Sequence, residues 1–227
     1  MACAIMVRMI SPGGTLEDTS ALHSLADTAR VVDLRARVRE AMTRPPVRWD
    51  CPKRISDEHL SEPVPVRKAR GISLKLAHMA TDLWSGQLLA GSMTLEEPRL
   101  HCEWGFPEYL TERERKEGAE RGLGTGCFGH IVPDYPALLK LGLRGIQDRA
   151  RAQYPHCRTE EERTFLDSVI IATDGVMAFA ERLADRCQAE ANEADPGRAA
   201  ELRRMAANLR QAPAGPAETF WQGLQAV

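Results

Sequence analysis

Leu166, Ile170, Thr173, Met177, Ala180, Ala184 and Cys187 follow one another at spacings of four and three, a rhythm that constrains the fold more than any other feature of this chain. Residues so spaced line one side of an α-helix, and Thr159 with Glu162 supplies a capping box at its start, so one long helix is predicted. Most of the remaining chain reads as further helices separated by Pro and Gly. Leu22, Leu25, Ala29, Val32 and Ala36, overlapped by Val31, Leu34, Val38 and Ala41, predict a helix ended by Pro45-Pro46. Val66 to Trp84 reads as a second, weakened in its first half by Gly71. Thr111 with Glu114 caps a short charged helix that stops at Gly122, Gly124 and Gly126. Asp134 caps the next, with Pro136 in a first turn that does not need its N–H and with Leu138, Leu139, Leu143 and Ile146 on the apolar face. Asp195-Pro196 opens a helix carrying Leu202, Met205, Ala206 and Leu209, and Gly215-Pro216 opens a last one in which Phe220, Trp221 and Leu224 face the core. Gln87 to Ala90, apolar between Gly86 and Gly91, is predicted to be a buried strand, and Glu96 to Tyr109 a loop.

Composition removes several classes of function. Thirty Lys and Arg stand against 32 Asp and Glu, and 43% of the chain is hydrophobic, which suits neither a nucleic-acid binder nor a disordered chain. Aromatic residues are only 5%, so Leu, Ala, Val and Ile must fill the core. No run approaches the roughly 18 apolar residues of a membrane helix. The apolar opening Met1 to Ile10 is broken by Arg8 and lacks the length of a secretory signal. With six cysteines scattered over 227 residues, free thiols and a cytoplasmic location are expected. The sequence stops at Val227 after an apolar, aromatic turn, which reads as the end of a fragment of something larger.

Among candidate sites, His101-Cys102 and Cys127-x-x-His130 offer enough sulfur and imidazole for tetrahedral zinc, although adjacent His-Cys residues rarely ligate one ion together. Gly122-Leu123-Gly124-Thr125-Gly126 resembles a phosphate loop only in glycine content, since no strand precedes it and no Lys-Ser/Thr follows. Arg198, Arg203, Arg204 and Arg210 are expected on a solvated helix face. Tyr109 and Tyr135 read as packing residues with a polar tip, and Asp134 as a helix cap.

The most informative string is Cys127-Phe128-Gly129-His130-Ile131-Val132-Pro133-Asp134-Tyr135-Pro136, continued by Leu138-Leu139 and Gly142-Leu143-Arg144-Gly145-Ile146. It resembles the Gly-His-x-x-Pro-Asp-Tyr segment and following helix of the glycyl radical enzymes, the group of pyruvate formate-lyase and the glycerol and choline lyases. Pro63 to Ala69, Gly86-Gln87-Leu88-Leu89-Ala90-Gly91, Pro98-Arg99, Phe106-Pro107-Glu108-Tyr109, Phe179-Ala180-x-Arg182-x-Ala184, Glu201-Leu202 and Pro216 to Gln222 are similar to the family's pieces in the same order.

The resemblance implies a mainly α chain with one or two short strands, forming the incomplete N-terminal part of the glycyl radical enzyme α/β barrel. Residues 1–32 would be a variable N-terminal segment and 33–227 the family domain. It further implies radical cleavage of a C–C, C–O or C–N bond of a small substrate in anaerobic metabolism. Its glycyl radical is installed by an S-adenosylmethionine-dependent iron–sulfur activase. By the same resemblance His130 and Asp134 occupy positions that can bind substrate, since an imidazole can donate or accept near neutral pH. The alternative for His130 is a histidine that ties its loop to the next helix through a backbone bond. The family's thiyl cysteine follows a glycine, and its radical glycine lies in an Arg-Val-x-Gly-Tyr-like motif. Here only Cys127 follows a glycine, within the Gly-His segment, and that second motif does not occur. The expectation is therefore no catalytic residue, metal or cofactor in this chain, and no activity without a second chain carrying both radical loops. An activating enzyme and self-association are the other expected partners. A non-catalytic helical binding or assembly module is the alternative.

Overall fold

The computed structural model describes residues 28–44, 47–48, 51–91, 99–100, 106–123 and 133–227. In chain order these form α1 (Ala29–Ala41), β1 (Val47–Arg48), α2 (Val64–His78), β2 (Arg99–Leu100), α3 (Glu112–Glu120), α4 (Tyr135–Gln153), α5 (Glu160–Ala191), α6 (Pro196–Gln211) and α7 (Phe220–Ala226).

The long helix α5 is the axis of the molecule. Both halves of its capping box are made, Thr159 Oγ1 accepting from the Glu162 N–H at 3.2 Å and Glu162 from that of Thr159 at 3.3 Å. Its apolar stripe then meets α6, and Leu183, Ala184, Cys187 and Ala191 close with Ala199, Leu202, Met205, Ala206 and Leu209 into the main core, joined by Leu83. The alanines let the two helix backbones approach, and Leu202 and Met205 fill the space between. On another side α2 lies against α5 at Gly175, where an added Cβ would sit 2.6 Å from Ser73 Oγ; Ser73 in turn donates to the Ile171 carbonyl at 2.9 Å.

Several expectations are corrected. The second helix stops at His78 instead of Trp84 because the guanidinium of Arg182 on α5 takes the carbonyls of Leu76 (2.8 Å) and Met79 (2.9 Å). Gln87 to Ala90 is a bent connection instead of a strand. Positive-φ turns at Gly86 and Gly91 bracket it, and side chains occupy its backbone: Arg198 on the Gln87 carbonyl, Trp221 on that of Leu88, and Gln225 on both groups of Ala90. Two short strands do exist, but elsewhere: β1 and β2 pair in parallel, Val47 with Arg99 and Arg48 with Leu100, and β2 falls within the predicted loop. Arg198 is half-buried, bridging the Gln87 carbonyl and Glu201, while Arg203 and Arg204 are exposed as expected. Arg210 is exposed but paired with Glu181 and Asp185. Phe220 is 62% exposed, because it opens a seven-residue helix whose inward face is Trp221, Leu224 and Gln225.

Helix α1 sits off the core. Of its two overlapping stripes, Val31, Leu34, Val38 and Ala41 turn inward, whereas Val32 is 49% exposed. Arg30 reaches Glu201 at 2.7 Å, and Arg37 lies 5.7 Å from the centre of the Trp84 ring while donating to the Ser85 carbonyl.

Candidate functional site

Asp134 starts α4 as a cap, Oδ1 accepting from the Ala137 N–H at 3.0 Å, and Tyr135 beside it is exposed. His130, and with it His101, Cys102 and Cys127, lies outside the described residues. Among the described residues no cluster of three or more His, Cys, Asp or Glu is placed to hold a metal ion. Burial pushes the thiol of Cys187 up to about 11, so this cysteine is a core residue and not a nucleophile.

Two turns into α4, Gly142 adopts φ +66° and breaks the helical ladder. The released N–H groups donate outside the helix, Leu143 to the Pro213 carbonyl at 2.8 Å and Arg144 to that of Ala214 at 3.0 Å. An added Cβ at 142 would lie 2.3 Å from the backbone of Gly215, so only glycine allows the 212–215 connection to pass. The glycine of the Gly-Leu-x-Gly-Ile string thus ties α4 to the end of α6.

A second anchor was not legible as a site. Arg67, 3% exposed, makes a bidentate pair with Glu114 (2.9 and 2.5 Å) and donates to the carbonyls of Glu62 (2.8 Å) and Tyr109 (2.9 Å). Glu114 also closes the capping box of α3 on Thr111. The guanidinium, aided by Thr111, holds the Glu114 carboxyl down at about 2. Phe106 meets Tyr109 edge to face at 5.8 Å, and an added Cβ at Gly71 would lie 2.7 Å from the Phe106 ring. Gly71, a weak point in a helix by propensity, is the seat for that aromatic. The only sequence hint of Arg67 was a charge beside Val66 and Ala69 on an apolar face.

A cleft of about 560 Å³ opens between α1, the 84–91 connection, α5 and α7. Leu34, Val38, Trp84, Phe179, Leu183 and Leu224 form its apolar walls, and Gln87 and Gln225 add carboxamides. No titratable side chain is among the described residues lining it, and its walls suit an apolar group. A smaller cleft of about 350 Å³ has His59, Arg70 and Ser73 at its edge. There Arg70 is held in a bidentate pair with Glu62, whose carboxyl is lowered by it.

Residues 101–227 match the pyruvate formate lyase-like family model. The chain is 37% identical over 101 residues to an isethionate sulfite-lyase of Desulfovibrio desulfuricans, an alignment covering 41% of this chain and 12% of that enzyme. It is 33% identical over 103 residues to a (2S)-3-sulfopropanediol dehydratase of Klebsiella oxytoca, covering 43% and 12%. The matched region thus spans about an eighth of the length of these curated relatives. Among solved structures, the B12-independent glycerol dehydratase of Clostridium butyricum superposes with a TM-score of 0.66 at 17% identity, over 96% of this chain and 34% of that one. A Roseburia inulinivorans structure described for 1,2-propanediol dehydration gives 0.65 at 21%, over 86% and 32%. At these identities the structural likeness speaks for the fold alone. The sequence match, in contrast, runs through the Gly-His segment, the kinked α4 and the α5–α6 core, and on it the chain belongs to the pyruvate formate lyase-like family.

Proposed function

We propose that this chain is the helical N-terminal portion of a glycyl radical lyase, built on part of the family's α/β barrel and catalytically silent by itself. The observation that carries this reading is the family match over residues 101–227 in a sequence with no Arg-Val-x-Gly-Tyr-like motif and no Gly-Cys pair outside the Gly-His segment. A second chain with the radical cysteine and glycine loops, charged by an S-adenosylmethionine-dependent activase, would complete the enzyme. The names of the relatives favour a small diol or sulfonate as substrate. Within this chain, His130 and Asp134 are the proposed substrate contacts. The cap bond to Ala137 fixes where the Asp134 carboxylate stands.

The test is electron paramagnetic resonance after strictly anoxic incubation with a family activase and S-adenosylmethionine. The chain alone should give no glycyl doublet and no turnover of glycerol, 1,2-propanediol or isethionate. Adding a polypeptide with both radical loops should restore the doublet and turnover, and His130→Ala should then weaken turnover while leaving the doublet. A doublet from this polypeptide alone would overturn the reading.

A further inference from the structure

Three arginines close on the 84–91 connection. Gly86 turns there at φ +85°, and an added Cβ would lie 3.8 Å from Arg30 Cγ. Arg37 donates to the Ser85 carbonyl, and Arg198, in the first turn of α6, donates through Nη1 to the Gln87 carbonyl at 2.7 Å. The carboxylates beside them are already engaged. Glu201 gives Oε1 to Arg30 at 2.7 Å and Oε2 to Arg198 Nη1 at 3.0 Å, and Asp195 Oδ1 caps the N–H groups of Gly197 and Arg198. Two donors are left over. Gln87 is 8% exposed, and its Oε1 accepts the Trp84 N–H at 3.0 Å, which fixes which way the carboxamide faces; its Nε2 is buried without a hydrogen-bond partner. Arg198 Nη2 is buried and unpartnered in the same way. A buried donor without an acceptor is costly, and here two such donors sit on residues that are themselves hydrogen-bonded to each other.

We propose that Gln87 Nε2 and Arg198 Nη2 bind a small oxyanion, a phosphate, sulfate or carboxylate, where the 84–91 connection meets the first turn of α6. One donor belongs to a guanidinium, so a charged oxygen gains a charge-assisted hydrogen bond that a neutral acceptor does not. The way in from solvent is the Arg30–Glu201 pair, whose side chains are 43% and 28% exposed. An ion pair that exposed contributes little, so it parts at low cost to admit the anion. The site is independent of the radical chemistry proposed above.

Isothermal titration calorimetry of the whole chain with inorganic phosphate and with sulfate, at an ionic strength held constant with sodium chloride, tests this. One anion should bind per chain. Gln87→Met, which keeps the side-chain length and removes the donor, should weaken binding about tenfold, the loss expected for one hydrogen bond to a charged group. Gln87→Glu keeps an acceptor for the Trp84 N–H and places a carboxylate beside Arg198 Nη2; it should abolish anion binding and raise the melting temperature. Arg203→Gln and Arg204→Gln, on the exposed side of the same helix, should leave binding unchanged, and circular dichroism checks that each variant is folded. The proposal is overturned if neither anion gives saturable heat above the chloride control, the result expected if the two donors share only a water molecule. It is equally overturned if Gln87→Glu binds the anions as the parent does, or if the Arg203 and Arg204 variants lose as much binding as the Gln87 variants.

Discussion

A methyl group at position 142 has no room, since the carbonyl carbon of Gly215 would lie 2.3 Å away and φ is +66°. Backbone on one side and an unfavourable dihedral on the other leave no rotamer to escape into, so Gly142→Ala should lower stability by at least about 2 kcal/mol in urea titration. The neighbouring Gly145 has a helical φ and meets only the Leu141 side chain, so the same substitution there should cost clearly less. Arg67 is the other position where one residue decides much. Removing it leaves Glu114 without its partner and two carbonyls unsatisfied, so Arg67→Ala should cost about 3 kcal/mol. The pair also sets an acid response. The folded-state value of Glu114, about 2, lies below its ordinary 4.5, so its stabilising contribution is whole above pH 4.5 and is lost as pH falls from there through 2. Thermal melts at stepped pH should show that slope in the parent and a weaker one in Glu114→Gln.

At the scale of elements, helix starts were legible because they are local. Thr111, Asp134, Thr159 and Asp195 each accept the N–H bonds that their spacing to the following residues implies. The α5–α6 seam was legible for a similar reason, since periodic apolar residues on both helices meet. Leu202, 1% exposed at its centre, should cost about 3 kcal/mol on truncation to Ala, and Thr159→Ala at the exposed cap about 1. What remained hidden depended on partners distant in sequence. Arg182 ends α2 from more than a hundred residues away, and Trp221 and Gln225 occupy the backbone of a segment whose apolar run alone suggests a strand. Of the candidate site, Asp134 and its cap were readable from Pro136 and the spacing, whereas the Arg67–Glu114 clamp was not, because a charged pair closes only when two helices meet.

For the molecule as a whole, the apolar surface left uncovered bears on association. Phe165 and Phe220 are each 62% exposed, Leu123 is 65% and Met42 70%, and the cleft adds the partly open faces of Leu34, Val38 and Leu224. Single exposed apolar residues are ordinary on a protein surface, but a cleft this apolar together with several exposed large side chains is surface that water disfavours. Trp221 contributes less to it than its composition suggests, since its ring packs on the core and its N–H is engaged by Leu88. The chain should therefore self-associate reversibly, its sedimentation coefficient rising with concentration. Phe220→Ser should shift the distribution toward monomer and raise solubility, with helix content unchanged by circular dichroism because this side chain is solvent-facing at the first turn of α7. Phe165→Ser, on the exposed side of α5, is the control for mere surface hydrophobicity and should do less. A monodisperse monomer at every concentration, or equal effects of the two substitutions, would mean that the cleft and α7 already satisfy their own apolar surface.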